Sequence, residues 1–586
     1  MSSSLKKRRA FLIATATASM AASTQLSAEP TTISIKDPAY AAKGNGVTLD
    51  DLAFARAAAS GKTVHLTPGE TYVLSKRVKP VTGTHLICEG GFATIVCKTG
   101  SGGYNVKSVT GTKTDEDGCL FWFDNVEDAG IEGVIFKPDG GTEVVIWPIQ
   151  VSQGSRTRPV VFKRLIFENF FVGSMLMLNS IGAAGYLLED ITGRNIGTAR
   201  GKPYWTGLVG AAVVEIDNDV VASTESKPGV MRNIRAYDVK LAGQALADYG
   251  AQTDCITIGG IVNGSNEKGP QIFGVYADGV GEGVDCFGSH AVIKGVRLKN
   301  IQYYGVKLVH GAQFNVIELD TIESAGIAAV GIFGSSSTTD HTRNNVVRVG
   351  TVTGVGAIAG DGRSDAVAVL FGDNGGGPAT CLPKRNFVRV ENVLGDGKNL
   401  RYVVRDGGAD NGNGNVVEVG TASGWTRRFC QCVPNNERIR VHDSTRVRLT
   451  LSAPQNVVTA TPTTIRFNAV QEDKKAEAVA DSYKVRCKTP GLKQVYAQAR
   501  IAGMRSGDNV VMRIKVNGAT VRETAHGAAS AALAHTFPIQ SVIYIAEDRA
   551  DSSDADITIQ IELISGGAPQ ITANESLSFF EVTDVA

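Results

Sequence analysis

The sequence has little proline, almost no net charge and no pair of cysteines at metal-binding spacing. Lysine and arginine number 59 against 58 aspartates and glutamates, and the formal charge of +1 gives no electrostatic footprint for nucleic acid or an anionic membrane. The lack of a C-x-x-C pair and of a histidine-rich tract argues against zinc. With only 18 prolines among 586 residues, rigid linkers are few, and the 67 glycines fit a soluble, mostly β chain with many corners.

The nine cysteines do not decide the redox compartment, because their number is odd and only Cys88/Cys97 and Cys430/Cys432 lie close in sequence. Cys255 and Cys286 each follow an aspartate in a short apolar run. We expect both to be inert core side chains.

A repeat of short β-branched runs organises the chain, and it is clearest in residues 283–312. The run GVDCFG (283–288) recurs in similar form as GVKLVHG (305–311). Two more runs (291–296 and 298–301) lie between them, with glycine or asparagine at the corners. Helical periodicity and tight hairpin turns are both absent here. Three apolar runs per repeat predict a parallel β-helix, right-handed, in which each coil stacks on the last.

Later coils begin with an asparagine, namely Asn315, Asn345, Asn386 and Asn415. Asparagines at one corner of successive coils are predicted to form a hydrogen-bonded ladder, which is a structural feature. Their unequal spacing leaves room for protruding loops such as 372–383, and such insertions often collect on a binding face.

Residues 1–28 differ in composition from the rest of the chain. Lys6, Lys7, Arg8 and Arg9 precede an apolar run (10–22), and small residues lead to Ala28. This pattern predicts an export signal that resembles the twin-arginine type, too short and too rich in Ala and Thr for a membrane span. An uncleaved disordered tail is the alternative.

The segment after Lys43 resembles the N-terminal segment of the pectate-lyase superfamily, which includes polygalacturonases and bacteriophage tailspikes. That family has a GDGVTDDT turn, a helix and a P-G-x-Y strand, and here GVTLDD (46–51) and PGETY (68–72) match it, with Asn45 and Leu49 as departures. The resemblance implies a helical cap (29–100) on a β-helix that spans 101–453. We expect Asp50 and Asp51 to start the helix at 52–59 and to be structural.

After Pro454 the pattern changes to longer alternating strands, which predict an antiparallel sandwich. The segments 483–487, PGLKQVYA (490–497) and IKVNG (514–518) resemble strands of the C1q/TNF-like jelly roll. That resemblance implies a C-terminal domain (454–586) that forms a homotrimer. A solenoid joined to a trimerising sandwich is also the layout of tailspikes.

Two aspartates head the candidate catalytic residues. Asp254 in TDCI (253–256) and Asp285 in VDCF (284–287) resemble, weakly, the NTD and DDC strands of polygalacturonases. Lys307 lies roughly where that family has a basic residue, and His310 is compared with its GHG histidine. Three residues depart from the polygalacturonase pattern. Gln252 replaces its first asparagine, Val284 replaces one of its paired aspartates, and His310 precedes a glycine instead of following one.

Side-chain alternation separates these candidates. If Val284 and Cys286 point inward, Asp285 points outward, and Lys307 is expected to stack beside it as a catalytic partner or a plain ion pair. Asp254 shares the parity of inward Ile256, and His310 that of inward Leu308. Asp278 and Glu282, one loop before Asp285, are further candidates for the second carboxylate.

The combined prediction is an all-β protein acting on polysaccharide, with no cofactor or metal and no convincing Ca²⁺ loop. The first hypothesis is a depolymerase, either hydrolase or lyase, that is exported or belongs to a phage virion. The second is a non-catalytic adhesin or tail fibre that binds carbohydrate along the same face. Trp147, Trp205, Trp425, Tyr303 and Tyr304 are candidates for stacking on sugar rings, although packing is the simpler role.

Overall fold

A computed structural model describes residues 33–98, 119–139, 147–152, 157–170, 174–179, 185–197, 211–217, 229–239, 253–259, 269–334, 341–357, 366–372, 382–406, 414–431, 437–441, 446–473, 475–528, 534–546, 549–564, 568–574 and 576–585. The predicted export signal, the loop 373–381 and Trp205 lie outside these residues. Within them, no helix is long and apolar enough to cross a membrane.

The first elements form the N-terminal cap: β1 (Ile33–Ser34), β2 (Asn45–Leu49), α1 (Asp51–Ala58), β3 (Thr63–His65), β4 (Thr71–Leu74), β5 (His85–Ile87) and β6 (Ala93–Cys97). The carboxylate of Asp50 accepts the backbone N–H groups of Lys43 and Gly44, at 2.6 and 3.2 Å. Asp51 accepts those of Ser75 and Lys76, at 2.7 and 2.9 Å. Both aspartates therefore fix the cap, as their position at the helix start predicts.

The next strands alternate between two parallel sheets, in the order β7 (Cys119–Asp124), β8 (Gly130–Pro138), β9 (Trp147–Ser152), β10 (Val160–Glu168), β11 (Leu176–Asn179), β12 (Tyr186–Ile196), β13 (Ala211–Asp217), β14 (Val230–Val239), β15 (Thr253–Ile258), β16 (Gln271–Asp278), β17 (Glu282–Cys286), β18 (Val292–Ile301), β19 (Tyr304–Leu308), β20 (Val316–Ala325), β21 (Ala328–Phe333), β22 (Val346–Thr353), β23 (Val367–Gly372), β24 (Phe387–Leu394), β25 (Tyr402–Asp406), β26 (Asn415–Ser423), β27 (Arg428–Gln431) and β28 (Glu437–Val441).

The even-numbered members are long, and each pairs in parallel with the next even-numbered strand. Many bend in the middle at a residue with positive φ, such as Gly133, Arg164, Asn233 and Gly274. Strand β5 accordingly pairs with the first part of β8, and β6 pairs with the last part. The two parts of a long strand therefore belong to two different faces of a coil.

The odd-numbered members form the third face, an 11-stranded parallel sheet that we call the short-strand sheet. The three faces enclose one continuous apolar core from Ile35 to Ile439. Parallel sheets stacked in coils around such a core form a β-helix, as the repeat predicts. Cys255 and Cys286 are buried in that core, in agreement with the expectation for them.

The asparagine ladder is present. The side-chain amide of Asn315 donates to Asn345, that of Asn345 to Asn386 and that of Asn386 to Asn415, at 2.9, 2.9 and 3.0 Å. All four side chains are buried. Because each buried amide is satisfied by its neighbour, the ladder fixes the stacking of these coils.

The C-terminal unit consists of two antiparallel sheets over a second core. Its elements are β29 (Arg446–Thr450), β30 (Gln455–Asn456), β31 (Thr463–Thr464), β32 (Ala469–Asp473), β33 (Ala478–Val479), a 3₁₀ turn (Ala480–Ser482), β34 (Lys484–Arg486), β35 (Gly491–Ala502), β36 (Asn509–Val516), β37 (Ala519–Gly527), β38 (Ala534–Ile545), a 3₁₀ turn (Ser553–Ala555), β39 (Asp556–Leu563), β40 (Gln570–Ile571) and β41 (Phe579–Asp584).

This unit begins upstream of the expected boundary at 454. Strand β29 already pairs antiparallel with β32 and β41. The change of pattern predicts a domain start at Pro454, but this residue lies between β29 and β30, two strands of the same sheet. Proline is tolerated at strand ends as well as in linkers, so it does not mark the boundary here.

Candidate active site

The candidate residues meet on the outer side of the short-strand sheet, on three neighbouring strands. In the parallel register, Thr257 of β15 lies beside Asp285 of β17, and Asp285 lies beside Lys307 of β19. Asp254 lies beside Glu282 in the same ladder. Since adjacent strands are about 4.8 Å apart, side chains in one such column come within contact of one another.

A break in side-chain alternation brings Asp254 and Glu282 to this outer side. Cys255 and Ile256 are consecutive residues, yet both lie in the core, and the same holds for neighbouring pairs such as Val213–Val214 and Ala329–Val330. In β17 the first position of the pair is Gly283, where a Cβ would meet the side chain of core Leu298 at 2.5 Å. Two inward residues in succession turn the preceding residue outward.

The expectation that Asp254 points inward with Ile256 is therefore wrong. Strict alternation applies to a flat strand, whereas each short strand here bends where it meets the neighbouring face. The outward orientation of Asp285 follows from alternation and is observed.

The four side chains form one compact cluster. Carboxylate oxygens of Asp254, Glu282 and Asp285 lie within 4.8 Å of one another. The Lys307 ammonium lies 3.2 Å from Asp285 Oδ2 and 3.2 and 3.3 Å from the two oxygens of Glu282. The hydroxyl of Thr257 donates to Asp254 at 2.7 Å. Exposure is 2% for Asp254, 3% for Glu282, 1% for Asp285 and 8% for Lys307.

Burial and charge set the protonation of the cluster. Desolvation, followed by the charges of Glu282 and Asp285, holds the pKa of Asp254 well above its usual 3.8. Desolvation also raises the pKa of Glu282 to about 7, with Lys307 opposing the rise and Asp285 adding to it. Desolvation lowers the pKa of Lys307, but the carboxylates, Asp285 foremost, outweigh it and keep the pKa above 10.5. One permanent cation thus faces two carboxyl groups, Asp254 and Glu282, that bind protons more readily than free ones.

The cluster also has unused hydrogen-bonding capacity. Within the described part of the chain, Asp254 Oδ1, Asp285 Oδ1 and Thr253 Oγ1 are buried and have no hydrogen-bond partner. An unsatisfied buried polar atom costs about 1–3 kcal/mol, so a hydroxyl group of a ligand would be favourable here. The Lys307 ammonium supplies the positive charge that a metal ion would otherwise bring to the three carboxylates.

The remaining candidates lie apart from this contact network. Asp278 ends β16 on the long-strand sheet, which is the sheet of the long, even-numbered strands. There it accepts a hydrogen bond from Asn300 at 2.7 Å. His310 follows β19, is exposed, and has its ring edge-on to Phe287 at 6.3 Å. Desolvation lowers the pKa of His310, with Asp285 opposing and Lys307 adding to the effect, so this ring lies within electrostatic range of the cluster.

Sequence reasoning missed an apolar patch on the same outer side of the sheet: Tyr303, Val309, Ile327, Ala328, Phe333, Val367, Leu370 and Tyr402, with Phe287 and Tyr304 packed against it. Only Tyr303 and Tyr304 were candidates. The others lie in or next to short apolar strands, and no local signal separates them from core side chains. Trp425 instead donates to Asp551 at 2.8 Å, a structural contact with the C-terminal unit. The side chain of Trp147 lies outside the described residues.

No protein-family model and no curated protein matches this chain. Among solved structures, it is similar to the surface protein and adhesin PfbA of Streptococcus pneumoniae (12% identity, 70% of this chain and 96% of that one, TM-score 0.34). It is also similar to the pre-mature bacteriophage phi29 gene product 12 (14% identity, 70% and 56% of the two chains, TM-score 0.41). Over 24% of its length it is similar to Eiger TNF from S. frugiperda, of which it covers 92% (12% identity, TM-score 0.19). Likenesses this distant carry no argument about activity.

Replacing Lys307 by Met should destabilise the protein by about 3–5 kcal/mol, because three buried carboxyl groups lose their cation. The folded-state pKa values of Asp254 and Glu282, already above their usual ones, would rise further. The native state then binds more protons than the unfolded chain, so the stability of the variant falls as pH rises through about 7. Thermal unfolding at about pH 5 and about pH 8 should show the larger loss at the higher pH.

Lys294→Met is the matched control, since Lys294 pairs with Glu318 on the exposed long-strand sheet at 3.2 Å. That change should cost about 1 kcal/mol or less. Equal losses in the two variants, or a Lys307→Met loss that does not depend on pH, would contradict the electrostatic account of the cluster.

Proposed function

We propose that this protein is a surface polysaccharide depolymerase that hydrolyses glycosidic bonds at the cluster of Asp254, Glu282, Asp285 and Lys307. The observation that carries the proposal is the pairing of two unlike carboxyl groups. Glu282 has a pKa of about 7 and holds a proton near neutral pH, whereas Asp285 lies beside a permanent cation. Glycosidases need such a pair, one acid and one carboxylate, on either side of the bond.

In this mechanism Glu282 protonates the departing glycosidic oxygen and Asp285 stabilises or attacks the anomeric carbon. The carboxylate oxygens lie within 4.8 Å, nearer the separation of about 5–5.5 Å in retaining enzymes than that of about 6.5–9.5 Å in inverting ones. Burial and the charges of Glu282 and Asp285 raise the pKa of Asp254 well above 3.8, so this group binds a proton more readily than a free aspartate and limits the negative charge of the site. Retention of configuration is therefore the expected outcome.

Hydrolysis is favoured over elimination by the state of Lys307. A lyase would use a lysine or arginine as its base, and a base must be able to lose its proton at working pH. The carboxylates raise the pKa of Lys307 instead of lowering it. Lys307 therefore acts as a fixed charge.

A polysaccharide substrate is supported by the apolar patch next to the cluster. Phe287 and Tyr304 are half-buried at its edge and offer ring faces of the kind on which sugars stack. Export, or a place on a phage virion, would bring the site to such a polymer.

A non-catalytic carbohydrate-binding surface protein is the second candidate. It is favoured by the burial of the three carboxylates, each 3% exposed or less, since a buried ion network can simply hold neighbouring coils together.

We also propose that the C-terminal unit is a C1q/TNF-like jelly roll that forms a homotrimer. An exposed apolar patch on one of its sheets supports this. Leu492 and Tyr544 are directly paired on β35 and β38, Val542 lies beside them, and the three are 49%, 57% and 57% exposed. Such patches on a folded surface usually mark an interface.

Introducing a charge into this patch with Tyr544→Glu should break the assembly, because the carboxylate would be buried without a partner. Light scattering should give three chains for the wild type and one for the variant. A wild-type protein that is monomeric at micromolar concentration would contradict the trimer.

The depolymerase is tested by incubating the protein with a panel of capsular and exopolysaccharides and measuring new reducing ends and the absorbance of unsaturated products. We expect reducing ends without unsaturated products. Glu282→Gln and Asp285→Asn should each lower the rate by about 10²-fold or more. Asp320→Asn is the control, because Asp320 forms an exposed ion pair with Arg297 on the other sheet.

Binding to a polysaccharide without any cleavage would identify the protein as the carbohydrate binder. Cleavage that survives both site variants would show that the cluster is structural and that the active site lies elsewhere.

A further inference from the structure

The C-terminal unit contains a lysine with no exposure to solvent. Lys493 lies in β35, 0% exposed, directly opposite Asp584 of the last strand, β41. Its ammonium contacts Asp584 Oδ1 and lies 2.8 Å from the hydroxyl of Thr489. A lysine side chain this deep in a small sandwich is unusual, because the cost of removing an ammonium from water is large.

A second carboxyl group is buried in the same unit. Glu477 is also 0% exposed, and one of its oxygens accepts the backbone N–H of Lys488 at 2.8 Å. Desolvation raises its pKa, and the charges of both Lys493 and Asp584 act on it. Glu477 therefore lies within electrostatic range of the pair.

The lysine end of the pair is surrounded by apolar side chains, whereas 19% of the Asp584 side chain is exposed. Val495 follows Lys493 on the same side of β35, Val582 takes the same place on β41, and both are 0% exposed. Cys487 is also 0% exposed, and the charges of Glu477, Lys493 and Asp584 act on the pKa of its thiol. In a medium of low polarity, an ammonium and a carboxylate in contact gain by passing a proton to become a neutral amine and a neutral acid.

Another ion pair of the same unit shows the contrast. Lys484 contacts Asp556 at 2.5 Å, but 22% of its side chain remains exposed and Arg486 shares the carboxylate at 2.7 Å. Lys484 thus remains partly hydrated and shares its carboxylate with a second cation, unlike Lys493.

We propose that Lys493 and Asp584 form an intramolecular isopeptide bond, with Glu477 as the proton carrier. After proton transfer within the pair, Nζ of Lys493 attacks Cγ of Asp584 and a carbon–nitrogen bond forms. Glu477 takes the proton released by the nitrogen and delivers it to the hydroxyl group, which leaves as water when the carbon–oxygen bond breaks. One amine and one acid give one amide and one water, so no oxidant, metal or energy source is needed.

The bond would covalently fasten the terminal strand β41 to β35. Lys493 and Asp584 are 91 residues apart, so the link closes the chain from β35 to β41 into one loop. A cross-link of that span restricts the unfolded chain and resists pulling at the C-terminal end.

The test is the intact mass of the full-length protein after denaturation and reduction. The wild type should be lighter than its sequence by one water. A tryptic digest should contain the β35 and β41 peptides joined, with no cleavage after Lys493. Lys493→Met and Glu477→Gln should both have the full mass, whereas the control Lys484→Met should keep the deficit. Asp584→Ala, close to the end of the chain, serves as a second variant if Lys493→Met fails to fold.

A wild-type protein of full mass after prolonged incubation at neutral pH would overturn the proposal. So would a one-water deficit that persists in the Lys493 variant, because it would come from cyclisation of an aspartate rather than from a cross-link. A deficit that persists in Glu477→Gln would contradict the role given to Glu477.

Discussion

The constraint on which the molecule depends is the register of parallel coils, in which a residue of one coil lies directly beside its counterpart in the next. The buried asparagine ladder from Asn315 to Asn415 maintains this register in the later coils. The same register places Asp254 beside Glu282 and Asp285 beside Lys307. Distances within the charged cluster are thus fixed by backbone hydrogen bonds and not by flexible loops, which is the arrangement a preorganised site requires.

The short strands add a second constraint. Most of them have two consecutive core residues, and this turns the residue in front of them outward. The resulting cluster combines three carboxyl groups and one ammonium in a space that is nearly closed to water. The low polarity of this space sets the protonation of its groups. Burial raises the pKa of Glu282, whereas the neighbouring carboxylates keep Lys307 charged. The same physics, applied to a single lysine and two carboxyl groups, underlies the cross-link proposed in the C-terminal unit.

Much of the fold could be predicted from the sequence because a coil repeats its apolar runs and its corner residues at a visible interval. The asparagine ladder and the outward orientation of Asp285 follow from those local patterns. The orientation of Asp254 could not be predicted, because the break at Cys255–Ile256 depends on how a strand meets the neighbouring face, and nothing in TDCITI marks it. Likewise, the position of Glu282 in a strand and the burial of the cluster depend on coils far apart in sequence.

The central claim is that Glu282 of the cluster holds a proton near neutral pH while Lys307 stays charged. Infrared difference spectra of the wild type between about pH 5 and about pH 8 measure this directly, because a protonated carboxyl group has its own carbonyl band. The account predicts a buried carboxyl group that titrates at about 7 in the wild type and is missing in Glu282→Gln. A wild-type protein in which all carboxyl groups titrate at about 4–5, as exposed ones do, would contradict it.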